Sequence, residues 1–411
     1  MTHGTVSAIL FPRMKLQLTK TKTIEIDFSS LGGGHRTPSD VTGVVLNGGD
    51  ARGCPAVRLV RKKSEWNVLA AGFVPAPVDS LPESWDAANK SHVAWSLPVE
   101  FQAPSAALAV LSPNMFTRQT TPDALTADLV QTAPRTSSGA PPPRKLGVRR
   151  LEKKPAAEKT AEGTAEKGQE LDVKPGVPAQ ANGVRFVMQP LAESPFVIQA
   201  GLPEYQVQWL AHLLPEGRRP TAFSVQTLPS ALLASLCEQP AFNAAGGSAF
   251  AIFVMRSTVY LAGYKEGKLL LFRSCPGVAG WEMLREGVKL RLGLEEEMVD
   301  EILDDALIDP RSAMEPFVRP ILQQLEISLD YLVSRHNLRI DKVFIMGLPS
   351  GARYWSQMAE ESLRMPLIAP SVFDGLMLSP KNKELAELTP SKSQAFLAAL
   401  GAARAAMEGQ A

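Results

Sequence analysis

The chain of 411 residues is 45% hydrophobic and 21% charged, and 43 basic residues against 42 acidic ones leave a formal net charge of +1. That apolar share excludes a wholly disordered protein, and the even charge weighs against a nucleic-acid surface, which shows itself as a basic excess. The length suits two domains of ordinary size or one large two-lobed one.

No run approaches the roughly 20 apolar residues that a membrane helix needs. Arg13 and Lys15 follow a short apolar start, the reverse of a signal peptide's order. Cys54, Cys237 and Cys275 are scattered and form no CxxC pair. This suits a reducing cytosol and argues against a disulfide framework or a zinc site. A soluble cytoplasmic protein without a metal centre is the expectation.

Taken in chain order, the first part is rich in strand signals. Thr23–Phe28 alternates apolar and polar residues, and Thr42–Leu46 is a continuous buried-type run. Ala56–Val60 and Trp66–Phe73 bracket a charged turn and predict a hairpin. Residues 74–104 carry many prolines and predict an irregular excursion. Ala106–Leu111 and Asn114–Gln119 predict two more strands. Residues 134–182 hold no aromatic residue and are rich in Pro, Ala, Glu, Lys and Gly. Such a segment cannot bury enough apolar area to offset its ordering entropy, so a disordered internal linker is expected.

After it, helices and strands alternate. Phe196–Gly201 and Ala222–Val225 predict strands, each followed by a helix, Pro203–Leu214 and Leu228–Cys237. Three strands come next: Phe250–Arg256, Thr258–Tyr264 and Lys268–Arg273. Trp281–Leu292, Leu294–Leu303 and Ala313–Asn337 predict helices, with Pro316 and Pro320 confined to early turns of the last. Asp341–Met346 predicts a strand running into a glycine loop. Ala352–Arg364 (helix), Pro366–Ala369 (strand) and Ser391–Met407 (helix) close the chain. The boundaries drawn from this are an extension over 1–40, a strand-rich first lobe over 41–133, the linker over 134–182, and the rest of the core with the second lobe over 183–411.

Strand hairpins followed by helix-connected strands, stated twice, make a two-lobed α/β plan. It is the plan of the actin, Hsp70 and sugar-kinase ATPase core. Within it, Leu325–Gly351 (LEISLDYLVSRHNLRIDKVFIMGLPSG) resembles the type IV pilus assembly protein PilM family. So do Arg273-Ser274-Cys275-Pro276 with Gly280, Leu292–Glu296, and Leu400–Arg404. The resemblance covers about residues 196 to 407, and residues 41 to 130 more weakly. It implies an actin-like fold and a cytoplasmic scaffold, peripheral to the inner membrane. The scaffold would bind the cytoplasmic tail of a bitopic, PilN-like partner beside a small inserted subdomain.

An ATPase of this fold needs glycine hairpins whose N–H groups cradle phosphate, and acids that organise Mg²⁺ and water. On the first hairpin, Val45 stands for the acid and Asn47 for the glycine, with Gly48, Gly49 and Asp50 behind. A second placement puts Asp27 in the acid role, followed by Ser29 and Ser30. On the second hairpin, Phe253 replaces the acid and Met255 the glycine, ahead of Arg256, Ser257 and Thr258. The adenine loop reads Met346-Gly347-Leu348-Pro349-Ser350-Gly351 and keeps one glycine of a pair.

The resemblance thus implies a vestigial nucleotide cleft lined by Asn47, Gly48, Gly49, Ser257, Thr258, Gly347, Ser350 and Gly351. No catalytic residue and no bound cofactor are expected. A filament-forming actin-like ATPase with shifted phosphate loops, holding ATP and Mg²⁺, is kept as the alternative, and self-association stays open with it. The five histidines lack metal-ligand spacing, and the acids from Glu295 to Asp305 suit a solvated helix start. The inserted subdomain looks reduced. Arg185, Phe186, Val187 and Met188, an edge-type strand, are the candidates for holding a partner peptide by strand addition.

Overall fold

The computed structural model describes residues 15–18, 22–25, 38–46, 52–62, 65–77, 81–90, 95–112, 115–120, 179–181, 184–192, 194, 196–213, 222–236, 248–266, 268–275, 277–304, 308–380, 384–385, 388 and 390–408. The strands in chain order are β1 (Lys15–Leu18), β2 (Lys22–Glu25), β3 (Asp40–Leu46), β4 (Cys54–Lys62), β5 (Glu65–Val74), β6 (Ser105–Val110) and β7 (Phe116–Thr120). They continue as β8 (Ala179–Ala181), β9 (Val184–Pro190), β10 (Val197–Pro203), β11 (Ala222–Thr227), β12 (Ser248–Val254), β13 (Val259–Lys265) and β14 (Lys268–Ser274). The last are β15 (Lys342–Met346), β16 (Leu367–Ile368) and β17 (Met377–Leu378). The helices are α1 (Trp85–Lys90), α2 (Glu204–His212), α3 (Leu228–Leu236), α4 (Trp281–Leu292), α5 (Glu296–Asp304), α6 (Arg311–His336), α7 (Ala352–Leu363) and α8 (Leu397–Met407).

Two sheets share one topology. In the first lobe the order is β11-β6-β3-β4-β5-β17, and in the second it is β14-β13-β12-β15-β16. In each, an antiparallel three-strand meander (β3-β4-β5, β12-β13-β14) begins on a strand that also pairs in parallel with the next crossover strand. That next strand is β6 or β15, and one more parallel strand (β11 or β16) follows it. The doubled plan is the two-lobed actin-like architecture.

The alternation read from the sequence decides which side chains face where. On β12, Ala249, Ala251 and Phe253 face a cluster shared with the first lobe, while Phe250, Ile252 and Val254 join the outer cluster under α4, α6 and α7. On β3 and β6, Val41, Val45, Ala107 and Ala109 face the shared cluster, and Val44, Leu46, Leu108 and Val110 the opposite side. Helix α8 lies within the shared cluster, so the chain returns to the first lobe after completing the second.

α8 fits because its face is small. A Cβ on Gly401 would come within 1.8 Å of the Ala231 carbonyl oxygen, and one on Gly43 within 2.0 Å of the Ala399 carbonyl oxygen. Backbone therefore meets backbone where α8 crosses α3 and β3.

Some expectations change. The segment expected to be linker contains strand β8 at its end. The inserted subdomain is a four-stranded sheet, β7-β10-β9-β8, with helix α2 after it. The proline-rich excursion contains α1 and a 3₁₀ turn at Val99–Phe101, and Trp95 Nε1 donates to the Pro75 carbonyl at 2.9 Å. Residues 134–178 and Phe28 lie outside the described residues. Among the described residues no helix is long and apolar enough to cross a membrane.

Candidate functional site

The positions expected to line a nucleotide cleft sit where β12 and β15 leave their sheet. These strands are parallel neighbours, with Phe253 opposite Met346. The β12–β13 turn and the loop from Gly347 to Gly351 therefore lie side by side. Asn47, Gly48, Gly49, Asp50 and Asp27 lie outside the described residues.

Phe253 is fully buried in the cluster shared by the two lobes. Tyr260 and Phe272 of the same cluster stack on each other with centroids 5.8 Å apart. The position that the sequence resemblance assigns to an acid is a piece of apolar core.

Met255 fills the next space. A Cβ on Gly347 would come within 2.9 Å of the Met255 sulfur and of the Val254 carbonyl oxygen. The thioether thus lies against the glycine loop, in the gap between the two strand exits. Gly347 has φ +80°, a left-handed backbone that suits glycine.

The polar groups around this gap have partners within the protein. The Met255 N–H donates to the Thr258 carbonyl (2.9 Å), closing the turn. The Met255 and Arg256 carbonyls accept from the N–H groups of Trp281 and Glu282 at 3.0 and 3.1 Å, so the turn caps the start of α4. Gly280 must be glycine there, because a Cβ would fall 2.3 Å from the Met255 oxygen. The Arg256 guanidinium pairs with Glu282. Ser257 is exposed and Thr258 half-buried, and a Thr258 hydrogen bond reaches Tyr260.

The glycine loop is held in the same way. The Gly347 N–H donates to Gln394 Oε1 at 2.8 Å, and Gln394 Nε2 donates to the Pro370 carbonyl at 2.8 Å. The Ser350 hydroxyl donates to Asp300 Oδ1 (2.9 Å) and the Gly351 N–H to Asp304 Oδ1 (3.0 Å). Partial burial raises the Asp304 carboxyl above its ordinary value, against the pull of the Gly351 bond. Ser257 and Thr258 lie on the β12–β13 turn and Gly347, Ser350 and Gly351 on the neighbouring loop, where the Gly347 and Gly351 N–H groups and the Ser350 hydroxyl are turned to protein acceptors. Sequence reading missed Gln394 and Asp304, each 47 residues from its glycine partner, and no local pattern marks them.

The candidate peptide strand is β9. Antiparallel β10 pairs along its whole length, and β8 takes the other side only at Val184, Arg185 and Phe186. Arg185 and Phe186 are thus not edge residues. Among the described residues, the edge beyond Phe186, at Val187, Met188 and Gln189, has no second strand.

No family model matches the chain, and no curated protein matches it. Among solved structures, a chain of a "PilM-PilN type IV pilus biogenesis complex" covers 90% of this chain and 98% of its own length, with a TM-score of 0.54 at 15% identity. A Bacteroides thetaiotaomicron protein with an actin-like ATPase fold is 10% identical over 84% of this chain and 93% of its own, with a TM-score of 0.36. An archaeal actin homologue is 15% identical over 50% and 65%, with a TM-score of 0.33. The doubled strand order and the first of these likenesses agree: the chain has the two-lobed actin-like fold and is PilM-like in architecture.

Proposed function

We infer that the chain is a PilM-like scaffold of a type IV pilus or type II secretion-like assembly and does not hydrolyse ATP. It would sit in the cytoplasm, peripheral to the inner membrane, holding the cytoplasmic tail of a bitopic PilN-like protein. The observation that carries the loss of hydrolysis is the state of the cleft. Phe253 stands in the acid's place, Met255 lies on Gly347, and the Gly347 N–H is given to Gln394. Phosphate binding would require these groups to exchange partners inside a packed site.

The tail is assigned to the open part of β9. Among the described residues, Val187 to Gln189 have no second strand beside them on a sheet inserted into the first lobe, which suits strand addition by an extended peptide.

Two titrations of the full chain test this. Calorimetry with millimolar ATP and Mg²⁺ is expected to give no saturable heat; saturable binding would restore the nucleotide-dependent filament as the better reading. A synthetic PilN-like N-terminal tail is expected to bind, and N-methylation at alternate residues should weaken it tenfold or more. Binding indifferent to N-methylation would remove strand addition.

A further inference from the structure

The second lobe carries a cleft that the nucleotide and peptide sites do not use. Its volume is about 430 Å³, within the range of ligand-binding pockets. It opens at the N-terminal ends of β15 and β16, whereas the Gly347 loop leaves the C-terminal end of β15. A five-residue strand separates the two by about 13 Å.

Three stretches of chain build it. The last turns of α6 supply Leu329 and Val333, the approach to β15 supplies Arg339 to Asp341, and the α7–β16 connection supplies Arg364 and Met365. Leu329 and Met365 are half-buried, and Val333 is 52% exposed. The lining is mixed, with Leu329, Val333, Ile340, Met365 and Pro366 beside Arg339, Asp341 and Arg364.

The charges are uneven. Arg339 and Arg364 are exposed, and neither makes an ion pair among the described residues. The acid among the lining residues, Asp341, is tied to Ser248 at the start of β12. The Ser248 hydroxyl lies 3.0 Å from Asp341 Oδ2 and 2.5 Å from the Arg339 carbonyl oxygen.

Arg364 also occupies an unfavourable backbone position. It caps the end of α7 with φ +55°, and its N–H donates to the Glu360 carbonyl at 3.0 Å. Glycine or asparagine meets that geometry with less strain. The strained cap places a second guanidinium at the cleft.

We propose that this cleft docks an acidic, apolar segment of a partner protein, its carboxylates meeting Arg339 and Arg364 and its apolar side chains resting on Leu329, Val333 and Met365. Two cations over an apolar floor complement that pattern, whereas a neutral peptide would leave both guanidinium groups unmatched. The site is in the lobe opposite the β9 edge, so its test is independent of the strand-addition reading.

The probe is a fluorescein-labelled peptide alternating Asp or Glu with Leu or Phe, titrated into the full chain by anisotropy. Saturable binding is expected that weakens at least fivefold in Arg339→Gln and in Arg364→Gly, and weakens with added salt. Arg364→Gly relaxes the strained cap, so its melting temperature should hold or rise while binding falls. Lost affinity in that variant therefore cannot be ascribed to unfolding. Four results would overturn the proposal: no saturable binding; unchanged affinity in both variants; equal binding of the Asn/Gln version of the peptide; or displacement of the peptide by equimolar octanoate, which would mark a small-carboxylate site.

Discussion

Phe253 shows how much of the packing between the lobes can rest on a single side chain. It is fully buried, on the face of β12 turned toward the first lobe. Phe253→Asp puts an acid where the sequence resemblance expects one for Mg²⁺, but into an apolar cluster. The lost ring alone is worth about 3–5 kcal/mol, and the buried carboxylate adds a desolvation penalty. We expect a loss of about 5 kcal/mol or more, read from the urea midpoint, and no gain in ATP binding; Phe253→Leu should lose about 1 kcal/mol. Asp304 makes a second test at this scale. Burial, opposed by the Gly351 N–H and assisted by the Asp300 charge, raises its folded-state pKa above the unfolded value. The folded protein then holds a proton that the unfolded chain has released. This contribution to stability is full below the unfolded pKa, near about 4, and is lost as pH rises through the folded one. Asp304→Asn keeps an acceptor for Gly351 and removes the titration. The variant's denaturant midpoint should therefore gain on the parent's as pH rises from about 4 to 7. A parallel pair of pH curves would show that the group does not titrate between the two states.

At the scale of elements, α8 is the clearest case of packing decided by absent atoms. Gly401 lies against the Ala231 carbonyl, where a Cβ would be 1.8 Å from the oxygen. Gly401→Ala raises helix propensity by about 1 kcal/mol, yet it must push α8 off α3. We expect a net loss of about 2 kcal/mol, since overpacking typically costs about 1–3 kcal/mol, measured as a lower melting temperature; a rise would mean that the crossing can relax. The Ala-rich run was legible as a helix from its composition, but the crossing partner was not. The same division runs through the fold. β3 to β6 and β12 to β15 were readable because each buries alternate or successive apolar residues, a local property. β8 sits in a polar Ala/Pro stretch and β17 has two residues, so both are strands through pairing alone. In the candidate site, Phe253, Met255 and Gly347 could be identified from the sequence because the hairpin and loop are contiguous segments. Gln394 and Asp304 could not, because only the folded chain brings them to Gly347 and Gly351.

The whole molecule follows from where the apolar residues of the two sheets are directed. Val41, Val57 and Ala107 from the first lobe share one buried cluster with Ala251, Phe253 and Phe344 from the second, and α8 runs through it. An actin-like ATPase uses a cleft between its lobes to hold a ligand. Here the described part of that region is filled by side chains, and each lobe completes the core of the other. Unfolding either lobe alone would expose the shared face of its neighbour. The hydrophobic penalty, about 25 cal/mol for each Å² exposed, should make such an intermediate unfavourable. We therefore expect one cooperative transition. Trp209 reports on the first lobe and Trp355 on the second, and both are buried. In the unaltered chain, tryptophan fluorescence and far-UV circular dichroism should give coincident urea midpoints, and calorimetric and van't Hoff enthalpies should agree. Separated midpoints would mean that the lobes fold independently and that the cluster between them is only a contact surface. Coincident midpoints would fit a scaffold whose lobes stay fixed relative to each other, so that partner segments bound at the β9 edge and at the Arg339–Arg364 cleft keep a constant spacing.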